Sequence, residues 1–411
     1  MKKIIVLMLA LVMAFGVWGC SGSKDVVNHL FSDSGVKGEV DGGFLGGVMD
    51  DALVEGVPEA GDYEPGEVPN NNGQISAGLL TAGEWKDLDD LEFWRTLLNR
   101  NDWYQLMEDR NLYANKVVTV KVADSNETPC FNVMVELLNK AGDVIYTAKT
   151  DINGNAYLLY DLDNSNEEAY AVRVNANEIL LEDHNEVKVS ASDVGVEVTE
   201  LDLMFMIDTT GSMGDELEYL QKEVEDVIKR VANDNRAVSI NISVNFYRDK
   251  GDKYVVLDNP FYSDVEKSKE ILGKQSADGG GDYPEAVHIA INNAVNEHQW
   301  RENSVKLCFM VLDAPPHEED EIQGIDGMLK EYVMDAAEKG IRIIPVASSG
   351  VDTETEFLMR SYSVMTGGTY IFLTNDSGIG ESHLEPTVGE YEVKALNDLM
   401  VEVILSYCKV Q

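Results

Sequence analysis

Basic residues are scarce in this chain. Its 32 Lys and Arg stand against 74 Asp and Glu, a net charge of −42 over 411 residues. Such an excess repels polyanions, which makes nucleic acid and anionic membrane surfaces poor partners. Cysteine is rarer still, with four in all. Beyond Cys20 they are Cys130, Cys308 and Cys408, an odd and widely spaced set that gives no disulfide framework. Cys308 sits in an apolar run and reads as a packed core thiol. No Cys-x-x-Cys occurs, which removes the common structural zinc arrangement. Histidines are few as well. Glu285-x-x-His288 occurs once, whereas carboxylate-bridged di-iron sites use that spacing twice. His317 and His383 read as isolated loop histidines. Gly-x-Ser-x-Gly is absent and no Ser/His/Asp order stands out, so a nucleophilic hydrolase has no support. After residue 18 no apolar run approaches the roughly 18 residues a membrane helix needs.

What is present begins with a targeting segment at 1–20. Lys2 and Lys3 precede an apolar stretch from Ile4 to Trp18 that is too short for an ordinary membrane span. Val17-Trp18-Gly19-Cys20 resembles the bacterial lipobox. That resemblance implies lipidation at Cys20, which would anchor the chain to a cell-envelope membrane rather than span it. An ordinary cleaved signal is the alternative. Residues 21–73 are rich in Gly, Asp and Glu and read as a disordered acidic tether. Within 74–115, Trp85, Leu88, Leu91, Trp94, Leu97 and Leu98 recur at spacings of three and four. They predict a short helical segment, beginning near Thr81 or Gly83, that packs its aromatics on a neighbouring domain. Residues 116–199 read as all-β, about seven strands of a β-sandwich with an Asn153-Gly154 turn. The Thr150-Asp151-Ile152-Asn153-Gly154-Asn155-Ala156 stretch resembles carboxypeptidase-regulatory-like or transthyretin-like modules. Asp151-x-Asn153-x-Asn155 has its Gly154 at the fourth place of a calcium loop rather than the sixth, and Asp161-x-Asp163-x-Ser165 has Val172 where a Glu is required, so both read as turns.

From residue 200 to 411 apolar strands alternate with amphipathic helices. Strands are expected at 201–207, 239–247, 305–312, 342–346 and 369–372, and helices at 215–232, 265–274, 285–297, 327–339, 354–365 and 391–408. The fold class is therefore α/β: a doubly wound, mostly parallel sheet preceded by the all-β domain. Asp208 ends the first strand, and Thr210 and Ser212 follow it on a tight loop. Ligand sites of open α/β sheets lie at these strand ends. One carboxylate with two hydroxyls is a hard-oxygen set suited to Mg²⁺ or Ca²⁺. The loop Asp278-Gly-Gly-Gly-Asp282-Tyr-Pro284-Glu285 and the strand-end Asp313 should meet it at the same edge.

The Asp208-x-Thr210-x-Ser212 pattern resembles the metal-ion-dependent adhesion site of von Willebrand factor type A domains. The fuller run to Asp215-Glu216, with Asp282-x-Pro284-Glu285, is similar to that domain in integrin β subunits. The resemblance implies Mg²⁺ (or Mn²⁺) at Thr210, Ser212, Asp208 and Glu285, with Asp313 direct or through water. It further implies a neighbouring Ca²⁺ at Asp215 and Glu216 and a third site at Asp282. The implied function is protein–protein interaction or adhesion, with the metal gripping an acidic side chain of a partner. The first hydroxyl is Thr rather than Ser, and the usual second-loop Thr gives way to acids, which would leave the metal less electrophilic. Asp215 and Glu216 can also be read as first-turn acids facing a helix dipole. Two rivals stand beside adhesion. Asp208-Thr-Thr-Gly-Ser also resembles the loop of Mg²⁺-dependent haloacid-dehalogenase-like phosphatases, although the apolar strand expected before a second acidic loop is absent. A structural envelope scaffold with a fold-stabilising metal is the other.

Overall fold

The apolar spacing of residues 85–98 does build a helix, but one that starts later than its periodicity predicts. In the computed structural model, which describes residues 75–182, 185–190, 197–233 and 238–409, Thr81–Trp85 is a strand, β1. The short helices α1 (Leu91–Leu98) and α2 (Asn101–Asp109) follow it. Asp90 stops the helix from extending backward by accepting the Phe93 amide at 2.9 Å. Gly83 is bare because β1 lies against two rings: a Cβ there would come within 2.5 Å of Phe372 and 2.7 Å of Tyr391. A free sheet edge therefore overrides the helical pattern at 81–85.

Seven strands come next: β2 (Val117–Ala123), β3 (Met134–Leu138), β4 (Val144–Lys149), β5 (Asn155–Leu159), β6 (Ala171–Val174), β7 (Asn177–Leu180) and β8 (Glu186–Ser190). They form a three-stranded sheet, β5-β2-β8, and a four-stranded sheet, β4-β3-β6-β7. The Asp151 carboxylate accepts the amides of Asn153 and Asn155 at 2.9 and 2.8 Å. It is an Asx turn, as its spacing suggests.

The remaining strands are β9 (Glu200–Asp208), β10 (Ser239–Tyr247), β11 (Val256–Leu257), β12 (Val305–Leu312), β13 (Ile341–Ala347), β14 (Tyr370–Leu373) and β15 (Lys394–Ala395). With β1 they make an eight-stranded sheet of order β11-β10-β9-β12-β13-β14-β1-β15. The five strands β10, β9, β12, β13 and β14 are parallel, and β1, β11 and β15 pair antiparallel. The helices are α3 (Leu217–Asn233), α4 (Val265–Leu272), α5 (Val287–Asn292), α6 (Ile325–Lys339), α7 (Thr353–Thr366) and α8 (Leu396–Ser406). The helix expected from 391 starts only at Leu396, because Lys394 and Ala395 pair with β1.

Strand alternation sorts β9 between two cores. Met204 and Met206 face one with α5, α6 and α7, while Leu203, Phe205 and Ile207 face the other with α3 and α8. Asp202 interrupts that apolar run and is fully buried. Its carboxylate is matched by the Arg301 backbone and side chain at 2.7 Å each and by the Ser304 hydroxyl at 2.9 Å. Residues 85–110 dock on α7 through the buried Arg360. Its guanidinium pairs with Asp87 and Glu356 and lies 5.2 Å from the Trp94 and Trp103 rings.

Candidate metal centre at the carboxyl edge of the sheet

In-register parallel pairing carries three strand ends to one place. Asp208 lies beside Tyr247, and Val311 beside Ile207, so Asp313 follows directly past the end of β12. The Asp208 Oδ1 accepts the Thr210 amide at 2.8 Å and the Thr210 hydroxyl at 2.7 Å. The Thr210 and Ser212 hydroxyls are 3.2 Å apart. Glu285 is held at the same edge by its backbone, whose amide donates to Pro315 O at 2.9 Å and bridges to Pro316. It precedes α5 rather than opening it, so the helix expected from 285 begins at Val287.

Glycine makes the middle loop possible. A Cβ on Gly280, whose φ is +71°, would stand 3.1 Å from the Glu285 carboxylate and 3.4 Å from Thr210. The Gly211 amide donates to Gly279 O at 3.1 Å, and the Gly280 amide to the Asp252 carboxylate at 2.9 Å. The loop thus lies across the Asp208 turn with its backbone in contact.

Asp208, Glu285 and Asp313 are all buried, and each has one carboxylate oxygen without a hydrogen-bond partner: Oδ2, Oε2 and Oδ1 respectively. No Lys or Arg forms an ion pair with any of them among the described residues. The electrostatic consequence is marked. Burial, offset by the Thr210 bonds, pushes the Asp208 carboxyl up to about 6. Burial and the Asp208 charge push Asp313 up to about 7. Burial, then the charges of Asp208, Asp249 and Asp313, push Glu285 up to about 9. These groups share a surplus of negative charge that a cation would relieve. The donor set of two hydroxyls and three carboxylates, each carboxylate with a lone pair to spare, fits a hard divalent ion.

The other expected positions behave differently. Asp215 is exposed. Glu216 is buried and faces the end of β13, where its Oε1 accepts the Ser349 amide at 2.9 Å with His383 Nε2 at 3.2 Å. Asp282 is exposed and meets His317 and Glu321 rather than the Asp208 loop. His317 and His383 are not the isolated loop residues that their sequence context suggests. Both are buried, and His317 lies between the carboxylates of Asp249 and Glu321. Burial opposes its charge, but those two acids outweigh burial and raise its pKa. Asp249 and Asp252 carried no role in the sequence reading. Their contacts cross from the loop after β10 to residues 280 and 317, which no local spacing reveals.

A parallel sheet with an Asp-x-Thr-x-Ser loop at its carboxyl edge defines a class, and comparison with known proteins names it. Residues 202–355 match the family model of the von Willebrand factor A domain. A curated ariadne-like RING finger protein of Acanthamoeba polyphaga mimivirus is 27% identical over 213 residues, 49% of this chain. The chain spans 20% of the length of that relative. Among solved structures, the conserved hypothetical protein BatB of Bacteroides thetaiotaomicron is similar at 14% identity and a TM-score of 0.35. That match covers 50% of this chain and 98% of BatB. An aerotolerance-related membrane protein of Bacteroides fragilis gives 14% and 0.33, covering 50% and 99%.

Proposed function

We propose that the von Willebrand factor A domain holds a divalent cation, Mg²⁺ or Mn²⁺, and through it binds an acidic side chain of a protein partner. Thr210, Ser212, Asp208, Glu285 and Asp313 would hold the ion. The observation that carries this reading is the set of three buried carboxylates, each with an unmatched oxygen and none ion-paired to a Lys or Arg among the described residues. Mg²⁺ takes about six oxygens and keeps waters readily, so a partner carboxylate can take a position the chain leaves open. Metal and partner affinities are then coupled. The Glu216 contacts favour a structural role for that residue over an adjacent Ca²⁺ site. On this reading the chain is a binding protein and not an enzyme, and a phosphatase assay in Mg²⁺ measures the rival directly.

The same proposal places the protein in the cell envelope, anchored by lipid at Cys20 through residues 21–73. Those positions lie outside the described residues, among which no helix is long and apolar enough to cross a membrane. Loss of radiolabelled palmitate incorporation in Cys20→Ala tests the anchor. We read the three- and four-stranded sheets as the two faces of the sandwich expected at 116–199. The binding function is tested with a glutamate-rich peptide and its glutamine counterpart. Binding of the first alone, in Mg²⁺ but not in chelator and lost in Asp208→Ala, is the expected result. Equal binding in chelator would refute metal-mediated capture.

A further inference from the structure

The proposed ion at Asp208 makes no use of His317. This residue ends the Asp313-Ala-Pro-Pro turn, and its backbone is held from a distant part of the chain. The buried Arg110 guanidinium donates to the carbonyls of His317 and Pro316 at 2.9 and 3.1 Å. On one side of the ring, Nε2 lies 2.7 Å from Asp249 Oδ1. On the other, Nδ1 contacts the Glu321 carboxylate. Asp282 completes the group, and the ligand-capable atoms of Asp282, His317 and Glu321 all lie within 4.8 Å of one another. The His288 ring stands edge-on to His317 at 6.4 Å, and its own Nδ1 is buried without a hydrogen-bond partner.

We propose that Asp282, His317 and Glu321 form a second divalent-cation site, distinct from the Asp208 site and selective for a transition ion such as Zn²⁺ over Mg²⁺ and Ca²⁺. The donor chemistry sets the selectivity. An imidazole nitrogen suits Zn²⁺, whereas Mg²⁺ and Ca²⁺ prefer oxygen throughout. Two carboxylates and a neutral imidazole balance a double positive charge. Metal-binding histidines commonly donate their second ring N–H to a carboxylate, which fixes tautomer and orientation. Asp249 stands where that acceptor is needed. Metal binding needs a bare ring nitrogen, so an ion entering at Nδ1 displaces to solvent any proton held there. Tetrahedral zinc separates its ligand atoms by about 3.3 Å, so Glu321 must draw back from Nδ1 to admit the ion while Asp282 adjusts to complete the set. Asp282 and Glu321 are both exposed and have the freedom to do so. Water can take the fourth position from the open side.

The test is Zn²⁺ titration of the full chain in saturating Mg²⁺, by calorimetry, with Co²⁺ absorption as a second readout. Cys408→Ser serves as the background, to remove the half-buried thiol. One Zn²⁺ per chain is expected, with a Co²⁺ spectrum of nitrogen and oxygen ligation and no thiolate band. E321Q and D282N alter exposed side chains, keep the fold, and should each weaken Zn²⁺ at least tenfold. H317Q should abolish binding. Asp208→Ala should leave Zn²⁺ binding unchanged, so the two sites stand or fall separately. Absence of Zn²⁺ binding by the folded background chain would overturn the proposal. So would equal affinity in E321Q and D282N, or loss of Zn²⁺ together with the Asp208 site.

Discussion

Asp208, Glu285 and Asp313 each carry a buried oxygen with nothing to bond, and each is pushed toward its neutral form by burial and by its neighbours. Because the folded chain holds these protons more tightly than the unfolded chain, the effect on stability has a definite sign. Below the ordinary carboxylate range both states are protonated and nothing is lost. As pH rises from about 4 toward about 9, the unfolded chain ionises first and the metal-free fold weakens. Thermal unfolding in chelator should show a melting temperature that falls across this range, and saturating Mg²⁺ should flatten the fall. Asp313→Asn removes one charge while keeping the shape. It should stabilise the metal-free chain by about 1 kcal/mol and abolish the Mg²⁺-induced rise in melting temperature. Much of this site is legible in sequence. An apolar strand ending in Asp, with hydroxyls two and four residues on, predicts Asp208, Thr210 and Ser212 at one edge, and Asp313 follows by the same logic. Asp249 and His317 are not legible, since their pairing joins loops 68 positions apart.

At the level of elements, the unexpected piece is β1. The backbone before it is gripped by a buried carboxylate on α3: Glu223 accepts the amides of Gly78, Leu79 and Leu80 at 2.8 to 3.1 Å. Glu223→Ala would leave three amides unmatched and should cost about 2–4 kcal/mol, read by denaturant unfolding, with faster hydrogen exchange in 78–85 than in β9. A second test concerns the turn from α7 into β14. A Cβ on Gly368 would lie 1.9 Å from the Ile343 carbonyl oxygen, which no side-chain motion relieves. Gly368→Ala should destabilise by about 3 kcal/mol. Four of the five parallel strands are seven to nine residues long, and these strands and the helices around them follow from period and composition. β1 and β15 are short, and their strand character comes from the edges they pair with. A local pattern does not contain that information, and the helical spacing of Trp85, Leu88 and Leu91 points the other way.

On the scale of the molecule, the sheet domain does not begin at residue 200. Removing everything before it would strip β1 from β14 and leave an open edge, which invites association. It would also take Asp87, Trp94 and Trp103 from Arg360, a buried cation left with Glu356 and the Thr387 carbonyl. Loss of one partner from such a cluster costs about 3–5 kcal/mol. A fragment of residues 201–411 should therefore aggregate or melt well below residues 75–411, measured by size-exclusion chromatography and thermal unfolding. The central claim is that the carboxyl edge of this sheet is a cation site, and it is tested best on the whole chain. Calorimetric titration of Mg²⁺, Mn²⁺ and Ca²⁺ into the metal-stripped protein, beside Asp208→Ala and Glu285→Ala, reads it directly. The account predicts saturable binding of Mg²⁺ and Mn²⁺ at one site in the unaltered chain and its loss in both variants. A silent titration of the folded, unaltered chain would contradict it.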